Sequence, residues 1–131
     1  MKYLLDTNAV IALMKRQHGM QQRVLAAGLQ NCAVSEITLA ELYVGLFKGK
    51  DSRQKAEVDA VRRLFTILPI TPAIECYAMN RAQLELNGTR IDDFDLLIGS
   101  TAIYHGLTVV THNGRHFARI PGIHVEDWET E

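Results

Sequence analysis

The chain has 131 residues, and 14 Lys+Arg set against 15 Asp+Glu leave a formal net charge of −1. With 47% hydrophobic and 22% charged residues, its balance is that of a globular domain, which excludes disorder, collagen-like repeats and a disulfide scaffold. One domain spanning 1–131 is expected, long enough to bury about two thirds of the surface the unfolded chain exposes.

Cys32 and Cys76 lie in apolar surroundings without zinc-site spacing, and both read as small core residues. No N-terminal segment has the basic-then-apolar form of a signal peptide. Apolar runs such as 9–14 fall far short of the roughly 20 residues of a membrane span. A soluble, cytoplasmic protein is expected. Charge is uneven: Lys48, Lys50, Arg53, Lys55, Arg62 and Arg63 crowd one segment, while Glu126, Asp127, Glu129 and Glu131 crowd the tail. The interleaved Asp51, Glu57 and Asp59 make the basic segment a solvated helix face in one reading and a phosphate-contacting face in the other.

Short β-like runs alternate with helical periods, so the fold class is α/β, with a mainly parallel sheet of about four to five strands flanked by helices. The first strand covers 2–5 and stops at Asp6. Helices follow over about 8–15 and 20–29, then a buried strand at 32–34. Thr38-Leu39-Ala40-Glu41 has the form of a capping box opening a helix that ends near Gly49 and turns Leu42, Leu46 and Phe47 inward. Residues 52–65 form another helix with Val58, Val61, Leu64 and Phe65 on one face. A strand at 66–69 reads as an edge, and Thr71-Pro72 as an N-cap with proline at the first helical position. That helix closes at Asn87-Gly88. Asp92 or Asp93 caps the next one, which stops at Gly106. Residues 107–111 form the clearest strand, Asn113-Gly114 a turn that breaks any helix, and 123–125 a final short strand. Tyr3, Tyr43, Phe47, Phe65 and Phe94 read as core aromatics.

Ligands of open parallel sheets bind beyond the carboxyl ends of the strands. Asp6 ends the first strand, Glu41 lies in the first turn of the helix after the second, Asp95 in the first turn of the helix before the clear strand, and Asn113 just after that strand. Carboxylates gathered in one cleft repel each other, and a divalent cation removes that penalty. Oxygen-only ligands favour a hard ion such as Mg²⁺ or Mn²⁺, which engages phosphate oxygens and activates water. The pattern points to metal-dependent phosphodiester hydrolysis. Each acid also has a structural reading: Asp6 as a helix cap, Glu41 as the capping-box partner of Thr38, and Asp92, Asp93 and Asp95 as complements to a helix dipole. The histidines, His18, His105, His112, His116 and His124, show no ligand spacing and read as surface or loop residues, with His112 or His116 candidates to lie near an RNA phosphate.

The segments YLLDTNAVIALMK, SEITLAELYVGLFK and DDFDLLIGSTAIYHGLTVVTHNGRHFARIPGIHVEDW, in that order over nearly the whole chain, resemble the PIN-domain ribonuclease toxins of the VapC type. The resemblance implies an acidic pocket binding Mg²⁺ or Mn²⁺ and endonucleolytic cleavage of RNA. Asp6, Glu41 and Asp95 match the three acids, and Asn113 falls where many members carry a fourth. Thr7, Asn8 and Thr111 match supporting polar positions. Asp92 and Asp93 depart from the pattern of close relatives; Asp93 is carried as a further supporting residue. The resemblance also implies a VapB-type antitoxin whose C-terminal segment enters the toxin's groove, homodimerisation, and an RNA target in tRNA, the anticodon loop of initiator tRNA in this branch.

In the resulting expectation Asp6 and Asp95 bind the main metal. Glu41 binds it through water or holds a second ion, while Asn113 and Thr111 orient water or phosphate. Lys48, Lys50, Arg53, Arg115 and Arg119 position RNA. The alternative is a PIN-like subunit that acts mainly as a binding module in a DNA-binding complex with an antitoxin-like partner. A receiver-like phosphoacceptor needs a Lys ending a later strand, where Thr111 stands here. An Asp-x-Asp phosphatase fails because Asn8 occupies the second acid's position.

Overall fold

A computed structural model describes residues 1–49 and 51–130. Lys50 and Glu131, named above among the basic and acidic runs, lie outside the described residues. Five parallel strands, β1 (Tyr3–Leu5), β2 (Cys32–Ser35), β3 (Thr66–Leu68), β4 (Thr108–Val110) and β5 (Val125–Glu126), stand in the order β3-β2-β1-β4-β5. The expected sheet is therefore present, fully parallel, with the 66–69 strand at its edge.

Successive strand side chains point to opposite faces, and the core divides accordingly. Leu5, Val34 and Val110 face one apolar cluster, closed by helices α1 (Thr7–Met14), α2 (Met20–Ala27), α3 (Glu36–Lys48) and α4 (Arg53–Leu64) through Val10, Val24, Leu42 and Val58. Leu4, Ala33 and Val109 face the other, closed by α5 (Ile74–Leu86), α6 (Asp93–His105) and α7 (Gly114–Phe117) through Leu84, Ile98 and Phe117. Helices on both faces explain why the central strands are unbroken apolar runs rather than alternating ones.

Several local expectations are corrected. α3 begins one turn before the supposed capping box: Ser35 leaves β2 with extended backbone and its Oγ accepts from Ile37 N at 3.0 Å. Thr38 is thereby released into the interior, and Glu41 lies in the second turn rather than the first. Phe47 is 83% exposed, with Tyr43 stacked against it from the rim, and Leu64 and Phe94 also face outward, because no element among the described residues covers those sides of α3, α4 and α6. Cys32 is buried as expected, but Cys76 is only half-buried. Thr71-Pro72 sits in a 3₁₀ turn over Thr71–Ala73, and Thr71 makes no side-chain cap. Asn113-Gly114 opens the short helix α7 instead of breaking one.

The tail after β5 is pinned by Trp128, 2% exposed, whose ring meets Tyr3 edge-on at 4.8 Å between centroids. The Arg23 guanidinium lies 5.3 Å above the same ring, and Thr130 N donates to His18 O at 2.7 Å. Trp128→Ala is expected to cost about 3–5 kcal/mol by removing a buried aromatic anchor; urea unfolding of the two proteins measures it.

Candidate active site

From β1 the chain proceeds outward through β2 and β3, whereas β4 and β5 lie on the other side, so the strand order, though not the strand direction, reverses between β1 and β4. Connections leaving two neighbouring strands in opposite directions open a crevice at their carboxyl ends. Asp6 is the first residue beyond β1, and its N–H still donates to Val110 O at 3.0 Å. Thr111 is the first beyond β4, fixed by a 2.9 Å bond from its N–H to Glu126 O. Glu41 projects from α3 and Asp95 from the first turn of α6.

The Asp6 side chain is 3% exposed and accepts from Ala9 N at 2.8 Å as the N-cap of α1. Burial pushes its pKa up to about 6; Asp95 and Glu129 add repulsion, while the Thr111 hydroxyl and the Ala9 N–H pull the other way. Asp95 is raised too, by burial first and then by Asp92 and Glu41, against the opposing influence of His116. His116 Nε2 stands 3.4 Å from Asp95 Oδ2. Glu41 Oε1 accepts from the Thr7 hydroxyl at 2.6 Å, and Thr7 Oγ1 is 3.0 Å from Thr38 Oγ1. Since Thr7 spends its only proton on Glu41, Thr38 must donate to Thr7. The relay Thr38→Thr7→Glu41 aims the Glu41 carboxylate, and the early start of α3 is what places Thr38 to begin it.

Asp6, Glu41 and Asp95 thus meet at one crevice, with Thr7 and Thr111 bonded into it. Asn113 caps α7 at the rim, its N–H donating to Thr111 Oγ1 at 2.8 Å. Asn8 is exposed on a neighbouring cavity of about 350 Å³ that Asn113 also lines. Asp92 accepts from Phe94 N and Asp95 N as the cap of α6. Asp93 does not join the pocket. It faces Tyr77 Oη at 3.2 Å, Arg90 at 3.3 Å and Arg81 at 3.7 Å, because it stands two residues before Asp95, which turns its side chain about 200° around the helix. Of the basic candidates, Arg53 is folded onto Asp51 at 3.2 Å and Lys48 is exposed at the end of α3, about two turns from Glu41. Arg115 and Arg119 are exposed around α7, the helix that carries His116, and form no ion pair among the described residues.

Two residues beside the acids were not placed against them from the sequence. His116 was expected as a surface or loop residue or near an RNA phosphate, and its position beside Asp95 was hidden by taking Asn113-Gly114 as a helix break. Glu129 looked like part of a solvated acidic tail; the signal was the adjacent Trp128, a large apolar residue that had to fold back onto the core.

An acid whose pKa is raised from 3.8 in the unfolded chain to about 6 in the folded one disfavours folding when ionised. The penalty is absent below about pH 4, grows through the window up to about 6 and is complete above it. Asp6→Asn keeps the oxygen that caps α1 and removes the charge. In chelator-containing buffer it should stabilise the fold by roughly 2–3 kcal/mol at pH 7.5. The gain should vanish near pH 4, as urea unfolding at the two pH values will show.

The PIN domain family matches residues 3–123 of the chain. It is 35% identical over 130 residues to the tRNA(fMet)-specific endonuclease VapC of Salmonella typhimurium, covering 98% of both chains. It is 35% identical over 133 residues to Ribonuclease VapC2 of Rickettsia felis, covering 98% of this chain and 99% of that one. Among solved structures, the fold superposes with a TM-score of 0.91 on a chain of DNA-bound VapBC from Salmonella typhimurium, at 35% identity and 98% coverage of both. A TM-score of 0.90 at 31% identity relates it to a chain of VapBC2 from Rickettsia felis bound to a DNA fragment from their promoter, with 98% and 100% of the chains covered.

Proposed function

The chain belongs to the PIN domain family, and on that premise we propose that it is a metal-dependent endoribonuclease, the toxin of a toxin–antitoxin pair, acting in the cytoplasm. The observation that carries this reading is the meeting of Asp6, Glu41 and Asp95, from three distant chain segments, in the crevice where the strand order reverses. A cluster of carboxylates in which Asp6 and Asp95 are held above the ordinary carboxylate range, by burial first and by neighbouring acids second, and which offers only oxygen ligands, fits a hard divalent cation. Such an ion, Mg²⁺ or Mn²⁺, neutralises developing charge on a phosphodiester and makes water a competent nucleophile.

The chain's own residues divide the remaining work. Asp6 and Asp95 ligate the cation, with Asp6 fixed by its capping bond to Ala9 N. Glu41, aimed by the Thr7 relay, binds through water or holds a second ion. Thr111 and Asn113 orient water or phosphate at the rim, and Asn8 borders the approach. Asp93, committed to Arg81, Arg90 and Tyr77, has no part. Arg115 and Arg119 serve RNA phosphates better than Arg53, which is occupied by Asp51, and Lys48 extends the basic rim. With a net charge of −1, RNA affinity should be modest and weaken with salt.

The names of relatives favour initiator tRNA as the RNA, and a cut in its anticodon loop is a further part of this proposal. A VapB-type antitoxin is the partner of choice. A groove of about 210 Å³, lined by Ile11, Met14, Leu42, Leu46 and Val58 with Glu41 at its edge, suits an amphipathic segment of that partner. Homodimerisation would cover outward apolar side chains such as Met79, Leu86 and Tyr104. The DNA in the solved relatives favours a second activity, operator binding, which in this reading belongs to the complex rather than to the acid pocket.

The purified chain, incubated with initiator tRNA and Mg²⁺, should cut it, and EDTA should stop the reaction. Asp6→Asn and Asp95→Asn should each lower the rate by about 100-fold or more, since several kcal/mol of transition-state stabilisation go with the charge. Both variants, paired with the antitoxin, should still bind DNA. Unchanged cleavage by Asp6→Asn would overturn the assignment.

A further inference from the structure

A second group of potential ligands stands apart from the three acids. His18 comes from the loop between α1 and α2, His112 from the segment after β4, and Asp127 and Glu129 from the tail on either side of the buried Trp128. Two carboxylates converge on one ring nitrogen: His112 Nδ1 is 3.0 Å from Asp127 Oδ2 and 3.2 Å from Glu129 Oε2. The other oxygen of Glu129 lies 3.4 Å from His18 Nε2. One ligand atom each from His112, Asp127 and Glu129 fall within 4.8 Å of one another.

A ring nitrogen of neutral imidazole carries at most one proton and satisfies one carboxylate, not two. A cation among these atoms satisfies all of them. Tetrahedral coordination with bonds of about 2.0–2.1 Å sets neighbouring ligand atoms about 3.3 Å apart. The two spacings that meet at His112 Nδ1, 3.0 and 3.2 Å, lie close to that edge, and His18 Nε2 stands 3.4 Å from the second oxygen of Glu129, within reach of the same ion. Two neutral imidazoles and two carboxylates also balance the charge of a divalent ion.

The frame is held in place before any ion arrives. Trp128 pins the tail between the two acids, and Thr130 N and Oγ1 both donate to His18 O, at 2.7 and 3.1 Å. Asp127 Oδ1 accepts from Glu129 N at 3.0 Å, which leaves Oδ2 facing His112. Outer bonds of this kind orient metal-binding carboxylates. A cavity of about 350 Å³ lined by His18, His112, Glu129 and Asn113 gives solvent and ions access.

We propose that His18, His112, Asp127 and Glu129 bind a divalent transition ion of the Zn²⁺ type, at a centre separate from the oxygen-only pocket of Asp6, Glu41 and Asp95. Mixed imidazole and carboxylate ligands select such ions over Mg²⁺. The ion would fasten the tail to the α1–α2 loop.

The chelator-stripped full chain, titrated with ZnCl₂ against a chromophoric chelator, should take up a single tight equivalent that a large excess of Mg²⁺ does not displace. His112→Ala and His18→Ala should each weaken uptake by about 100-fold, whereas Asp6→Asn should leave it unchanged. Co²⁺ in place of Zn²⁺ should give the intense visible absorption of a tetrahedral site in the parent chain and in Asp6→Asn, but not in His112→Ala. Because His18 and His112 are exposed, circular dichroism should show both alanine variants folded. Absence of micromolar Zn²⁺ uptake, uptake undiminished in His112→Ala, or uptake lost in Asp6→Asn would each overturn the proposal. The assay reads binding alone, so its outcome is independent of RNA cleavage.

Discussion

The constraint on which the molecule turns is the burial of one carboxylate, Asp6, at the carboxyl end of the middle strand. Its position is not negotiable. The residue caps α1, its N–H belongs to the hydrogen bonding of β4, and the strand before it pairs on both sides. A charge held there in a dry setting costs free energy, and the fold tolerates it only because polar partners stand close by: Thr111, the Ala9 N–H and the open crevice itself. The other acids meet this one because the strand order reverses beside it, which sends α3 and α6 over the same edge from opposite sides.

Around that fixed point the structure separates aiming from charge. Threonines do the aiming. Thr38 and Thr7 hand a single hydrogen-bond direction down to Glu41, and Thr111 serves both Asp6 and the N–H of Asn113. These hydroxyls are buried or half-buried and carry no formal charge, so they orient acids without neutralising them. An imidazole and two cations stand further out: His116 touches Asp95 from α7, and the guanidinium groups of Arg115 and Arg119 flank it in solvent. The pocket keeps its negative potential inside and its positive potential at the rim, an order suited to holding a cation below and a polyanion above.

Much of this was legible in the residues, for identifiable reasons. Buried parallel strands are continuous apolar runs between turn signals, and such runs at 3–5, 32–35 and 108–110 could be read directly. Acids placed just beyond strand ends or at helix starts pointed to one edge once the sheet was taken as parallel. What could not be read depended on partners distant in sequence. The Ser/Thr-x-x-Glu pattern at Thr38 was genuine chemistry in the wrong place: Thr38 and Glu41 both bond to Thr7, 31 and 34 residues away, instead of to each other. Phe47, Leu64 and Phe94 obey helical periodicity, yet periodicity reports an apolar side and not whether the same chain covers it. Asp93 was misplaced by the two residues of helical rotation that separate it from Asp95, and Arg81 and Arg90, which claim it, lie in and after another helix. The grouping of His18 and His112 with Asp127 and Glu129 leaves no spacing signature, because its members come from three segments.

The strand order also bears on how the molecule comes into being. β1 occupies residues 3–5 but needs β4, at 108–110, as one of its two neighbours, and the crevice lies between those two strands. Pairing across so long a stretch of chain is slow to form and comes late. During translation the first strand must therefore wait, half-partnered, until the segment bearing Thr111, Asn113 and His116 has left the ribosome's exit tunnel. A nascent chain has no finished crevice before then, while α1, α3 and α4, whose groove lies N-terminal to that segment, have already emerged. The residues of the groove are thus synthesised well before those that complete the crevice.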